Sequence, residues 1–293
     1  MAMDKLQEKI RKLKNPSVVD FSVDEITIPP FILEEEGDRI RAYERFSREL
    51  MEGLKGIVPA VRFSVGRFCL MGPEGIALLQ RLTAYAREQD YYILLDIPET
   101  FSRSAAEMSA GIYMDTQCGF HFDGLVVTPY IGSDTLKPYV QKLKSTDKDL
   151  FVVLRTSNKS AAELQDLLTG SRLVQMAAAD IVKRLGEPLV GRSGYSQVAA
   201  VGPASVADVL KKTREKYKNM FLLLDGYDYT NANAKNCSYA FDKLGHGAAA
   251  CAGAGVLGAW NADDYADTHE YVSLAVEAAE RMKKNLLRYI TVL

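Results

Sequence analysis

The feature that most constrains this chain is a repeated alternation of two kinds of segment. Eight short apolar runs, each the length of a buried strand, are separated by stretches with helical spacing. The strand candidates are 17–21, 58–63, 91–96, 124–128, 150–155, 197–201, 220–224 and 247–252. Residues 39–55 put Ile40, Tyr43, Phe46, Leu50 and Leu54 on one helical face. Gly72-Pro73 opens a helix that runs to about Glu88, with proline in its first turn. Leu6, Ile10 and Leu13 mark a helix over 3–14, which Asn15-Pro16 stops. Helices are also expected over 104–115, 135–143 (capped by Asp134), 204–217, 235–243 and 263–287, with one or two filling 160–185.

Eight strands, each followed by a helix, is the count of a closed barrel. The expected fold is therefore of the α/β class, a single-domain (β/α)8 TIM barrel over 1–293. A doubly wound open sheet is the alternative. No linker, low-complexity tract or repeat divides the chain.

Composition removes several function classes. A net charge of −2 gives no electrostatic case for nucleic acid or an anionic membrane. Cys69, Cys118, Cys237 and Cys251 are widely spaced and form no CxxC pair. That spacing fits a reducing cytoplasm better than a zinc ribbon or disulfide framework. The N-terminal segment is charged and lacks the apolar centre of a signal peptide. No run approaches the ~18 apolar residues of a membrane span. A cytoplasmic protein is the expectation.

In such a barrel, side chains at the C-terminal ends of strands line the mouth. The third strand ends on Asp96, the second carries Arg62 near its end, and the seventh ends at Asp225. Asp96 and Arg62 are read either as ligand contacts or as a structural ion pair. Glu99, Asp225 and Asp228 are read as an acidic mouth or as solvated loop acids. No histidine joins them at metal-ligand spacing, so no metal is assigned. His121, His246 and His269 are scattered and read as caps or surface residues. Gly253 and Gly255 read as close-packing glycines rather than a nucleotide loop.

Several longer stretches carry a resemblance. Ile57-Val58-Pro59-Ala60-Val61 leads the second strand, and Gly72-Pro73-Glu74-Gly75 follows it. Residues 127–134, VTPYIGSD, are close to V-N-P-Y-L-G-x-D. Residues 151–158, FVVLRTSN, are close to F-V-L-V-K-T-S-N, with Leu164-Gln165-Asp166 beyond and Gly194-Tyr195-Ser196 before the sixth strand. On these stretches the chain resembles the longer bacterial branch of orotidine 5′-phosphate decarboxylase, which makes uridine monophosphate. The resemblance spans nearly the whole chain. It implies a TIM barrel, no cofactor, and a homodimer with the barrel mouths at its interface. Ser22, Arg62, Asp96, Thr156, Ser157, Asn158 and Asp225 are the candidate ligand contacts, Asp225 as the acid that stands where that family's phosphate cradle begins.

The departures fall at the strand ends. The first strand of that family ends in G-L-D, where this chain has Asp20-Phe21-Ser22. The family's Asp-x-Lys-x-x-Asp survives only as Asp96, because Pro98 and Phe101 occupy the Lys and second Asp positions. The second strand has Arg62 for Lys, and a later Thr is Ala105. The glycine-rich P-G-x-G-A-Q-G-G after the seventh strand is replaced by Asp225-Gly226-Tyr227-Asp228-Tyr229-Thr230, and a phosphate-binding Arg by Ala254. The family reaction leaves negative charge on the pyrimidine as CO2 departs, and an ammonium must neutralise it and donate a proton. Pro98 has no proton to give. Arg62 and Asp96 are remnants of the catalytic set, and Arg is a poor proton donor. Thr156, Ser157 and Asn158 are read either as pyrimidine contacts or as a turn holding itself through side-chain to backbone bonds.

The sequence thus points to a catalytically inactive relative with a partner or ligand-sensing role. The alternatives are an enzyme of different chemistry at the same mouth and a working decarboxylase. Phe101 is expected at a dimer interface, or else turned inward as a plug of its own barrel.

Overall fold

The first strand, β1 (Ser17–Asp20), pairs on one side with β2 (Ala60–Ser64) and on the other with the last strand, β8 (Ala248–Ala252). That double pairing closes the sheet. Between them run β3 (Tyr92–Asp96), β4 (Gly124–Val127), β5 (Asp149–Val153), β6 (Val198–Pro203) and β7 (Leu222–Asp225). Every barrel pairing is parallel and, apart from the closing β1–β8 pair, joins sequence neighbours, giving a closed eight-stranded barrel. This computed structural model describes residues 1–98, 100–115, 118–227, 231–261 and 268–293.

Alternation along each strand sorts the core into two clusters. Val18, Ala60, Leu94, Phe151, Leu223 and Ala249 are fully buried and belong to the cluster inside the barrel. Met3, Leu6 and Ile10 belong to the same cluster. The amphipathic helix Ala2–Leu13 therefore closes the N-terminal end of the barrel with one apolar face. Outward-facing residues such as Val19, Val61 and Leu95 join a larger cluster with the surrounding helices. The face read for residues 39–55 is there: helix Arg39–Leu54 buries Tyr43, Phe46, Leu50 and Leu54. Asp38 caps it by accepting the Arg41 backbone N–H at 2.9 Å.

Some local expectations are corrected. The segment 160–185 holds a short 3-10 turn (Lys159–Glu163), a small hairpin (Leu168–Thr169 with Arg172–Leu173) and one helix, Val174–Gly186. Helix Ser133–Leu143 starts one residue before Asp134, and its N-cap is Gly132, which has no side chain to offer. Asp134 instead accepts a bond from Lys137 at 3.0 Å. The last helix is Tyr271–Leu287, preceded by a 3-10 turn at Thr268–Glu270. The sixth strand runs to Pro203, two residues beyond its expected end. Among the described residues no helix is long and apolar enough to cross a membrane.

Candidate functional site

The mouth of the barrel is organised around Arg62. Its side chain points inward from the C-terminal half of β2 and the residue is only 8% exposed. Nη2 donates to Asp96 Oδ2 at 2.7 Å, and Nη1 donates to Asp225 Oδ1 at 2.9 Å. Asp20 Oδ2 lies 3.8 Å from Nη1. Strands β1, β2, β3 and β7 thus each deliver one ionisable group to a single point. Asp20 stands opposite Arg62 in the β1–β2 register, so the two meet across adjacent strands. The Arg62 Nε atom is buried and without a hydrogen-bond partner.

Electrostatics follow from that arrangement. Burial by itself would lower the Arg62 pKa, but Asp20, Asp225 and Asp96 outweigh it and hold the group protonated well above its usual range. Burial pushes the Asp96 carboxyl up, Arg62 opposes that, and the neighbouring Asp20 and Asp225 push it up further; the result lies above the usual Asp range. Cys251, fully buried on β8, has its thiol pushed far up by burial and by Asp20, so it is neutral. One cation among three acids leaves the cluster with an excess of negative charge. Its guanidinium is held at both Nη atoms, and no ammonium stands at the end of β3, where Pro98 follows Asp96 by two residues.

The other candidate ligand residues are spread around this centre. Ser22 accepts the Ser64 backbone N–H at 2.6 Å, and its own N–H donates to Asp20 Oδ1 at 2.8 Å. It ties the loop after β1 to the end of β2. Thr156, Ser157 and Asn158 follow β5. Thr156 Oγ1 bonds Asn158, the Thr156 N–H donates to Gln165 Oε1 at 2.8 Å, and Asn158 Nδ2 donates to Ser160 at 2.9 Å. Two of the three side chains are therefore engaged in their own loop, but through side-chain to side-chain bonds rather than the side-chain to backbone bonds expected. Ser157 is exposed and packs against Gly226, whose φ of +73° suits glycine. A Cβ at Gly226 would meet Ser157 at 3.0 Å. Glu99 and Asp228 lie outside the described residues.

Sequence reasoning missed two features. Asp20 was passed over for Ser22, although the inward alternation that places Val18 in the barrel also places Asp20 there. Arg155, 8% exposed, forms a two-bond fork with Asp166 at 2.9 and 2.8 Å, and Gln175 donates to the same carboxylate at 2.6 Å. This network pins the 156–175 segment beside the mouth. An Arg directly after a buried strand, with an acid eleven residues on, was its only trace in the sequence.

Phe101 is 79% exposed, which corrects the reading of an inward plug. Met108 and Ile112, on helix Arg103–Tyr113, are also exposed, at 67% and 57%. A spacing of four residues puts Met108 and Ile112 on one side of that helix, and Phe101 precedes its N-cap, Ser102. Of the histidines, His246 Nε2 lies 2.7 Å from the Leu293 carbonyl, and His269 stacks near Phe31 with ring centroids 4.1 Å apart. Gly253 lies against the Asp20 backbone, where a Cβ would come within 3.3 Å of the Asp20 carbonyl. That proximity agrees with close packing.

No protein-family model matches the chain. Orotidine 5′-phosphate decarboxylase of Petrotoga mobilis is 28% identical over 263 residues, covering 89% of each chain. The enzyme of that name from Clostridium tetani is 24% identical over 293 residues and 99% of each chain. The crystal structure of Plasmodium berghei orotidine 5′-monophosphate decarboxylase superimposes with a TM-score of 0.78 at 13% identity, covering 98% of this chain and 99% of that one. The last comparison speaks to the barrel alone. The sequence relatives say more: this chain is homologous to the orotidine 5′-phosphate decarboxylases, at 24–28% identity.

Proposed function

We propose that this chain keeps the decarboxylase architecture without the decarboxylase activity, and serves as a partner or ligand-sensing protein. The observation that carries this reading is the capture of Arg62 by Asp96 and Asp225 at 2.7 and 2.9 Å. A guanidinium held at both Nη atoms, with a pKa driven upward, neither neutralises a developing carbanion nor supplies its proton. Pro98 adds no donor. The ends of β7 and β8, where the resemblance puts the phosphate, offer Asp225 and Ala254 in place of a glycine-rich nest and an Arg. A dianion there meets a carboxylate.

The relatives favour a second reading. Proteins matched over 89–99% of this chain carry the decarboxylase name, which supports a working orotidine 5′-phosphate decarboxylase in pyrimidine biosynthesis. Binding of the reaction product separates the two. Calorimetry with uridine monophosphate is expected to show weak or no binding. Micromolar affinity, about −8 kcal/mol, would overturn the inactive reading, because a mouth that repels phosphate does not reach it.

The same proposal includes assembly and place. The protein is read as one cytoplasmic domain that forms a homodimer through its barrel mouths. Exposed Phe101, Met108 and Ile112 supply an apolar face that a two-fold partner would cover.

A further inference from the structure

A second concavity lies at the opposite end of the barrel from Arg62. It is a cleft of about 190 Å3 between the end of helix Val174–Gly186, the start of β6 and the turn that leads into β7. Its buried walls are Val182, Val198, Tyr217 and Met220. A closed apolar cavity of about 150 Å3 is enough to hold a benzene ring, so this one has room for a ring or a short chain.

The rim is cationic. Lys183, Lys216 and Lys218 line it, against the single carboxylate of Glu187. Lys216 is engaged with Asp180 at 2.8 Å. Neither Lys183 nor Lys218 makes an ion pair among the described residues, and both are exposed. An apolar floor beneath two uncommitted ammonium groups is complementary to an apolar body carrying one negative charge.

We infer that this cleft binds a small amphipathic anion, such as an aromatic or short-chain carboxylate. The ring or chain enters between Val190 and the Tyr217–Met220 turn, with Val182 and Val198 packed behind, and the carboxylate reaches Lys183 and Lys218. The site is independent of the mouth and stands whether or not the chain decarboxylates anything.

The test uses the full chain and two probes of nearly equal size, benzoate and benzyl alcohol, followed by amide chemical shifts. Benzoate is expected to shift the amides around 182–198 and 217–220 saturably, and to bind about fivefold tighter than the alcohol, as a surface charge contact of modest strength would give. High salt should shrink that preference. Lys183→Gln with Lys218→Gln should abolish the preference and leave the alcohol's weak binding intact. Val190→Trp, at a rim position that is 40% exposed, should block both probes without touching the core. Equal binding of the two probes would overturn the inference. So would shifts that map elsewhere, a preference that survives the double lysine change, or benzoate binding that survives Val190→Trp.

Discussion

Arg62 Nη2 and Asp96 Oδ2 lie 2.7 Å apart, joining the C-terminal halves of β2 and β3 at the centre of the barrel mouth. The same guanidinium reaches across to Asp225 on β7 at 2.9 Å. These bonds gather one buried cation and two part-exposed acids into a single ion cluster at the mouth. Removing the buried Arg62 is more costly than removing the whole cluster, because it leaves the part-exposed carboxylates of Asp20, Asp96 and Asp225 facing one another with no cation between them.

Arg62→Met is therefore expected to destabilise the protein by about 3 kcal/mol, measured by urea unfolding. Adding Asp96→Asn and Asp225→Asn to that variant should recover part of the loss. A single Arg62→Met with unchanged stability would show that the three acids are better solvated than their positions imply.

A second buried acid predicts a pH dependence. Asp149, at the start of β5, is fully buried and accepts the Tyr92 hydroxyl at 2.7 Å. Burial pushes its carboxyl well above the usual Asp range, with Asp123 and Asp147 adding to the shift and the Tyr92 bond opposing it. A carboxyl with a raised folded-state pKa binds its proton more tightly when folded. Its contribution is complete below the unfolded pKa of about 3.9, and fades as pH rises through the folded value. Asp149→Asn should flatten that part of the stability–pH curve, read from thermal unfolding across a pH series. A parallel curve in the variant would remove Asp149 as the cause.

How much of this was legible before the fold? The barrel was, because eight apolar runs separated by amphipathic helices admit few closed arrangements. The Arg62–Asp96 pair was also foreseeable, since adjacent parallel strands bring their ends together. Asp20 was not picked out as its third partner, because Asp20 and Ser22 fall on the same inward face of an extended segment and alternation alone does not say which of the two reaches Arg62. The Arg155–Asp166 fork depends on how a loop folds back, and loop geometry leaves little periodic signal. The 160–185 segment shows the same limit: one or two helices were expected to fill it, and its first half is instead a 3-10 turn and a small hairpin in which Leu164 and Leu168 are exposed.

Assembly gives the third prediction. Light scattering should find a dimer for the native chain and a weakened dimer for Phe101→Asp, because an exposed apolar ring at the interface would be replaced by a carboxylate that the partner buries. A monomeric native protein would remove the interface, as would a Phe101→Asp dimer of unchanged affinity.

Restoring one missing group should not restore the chemistry. Pro98→Lys returns an ammonium to the end of β3, but Arg62, Asp225 and Phe101 still shape the mouth. Its rate with orotidine 5′-monophosphate should stay at that of the native chain. A gain of even about a hundredfold, within the reach of a single positioned acid, would mean that the rest of the site is intact.

The most direct measurement is release of labelled CO2 from carboxyl-labelled orotidine 5′-monophosphate by the purified native chain. The predicted result is a rate indistinguishable from the protein-free control, at every pH where the protein is folded. Turnover above that control, lost in Arg62→Ala, would contradict the account and make Arg62 the working cation of an active decarboxylase.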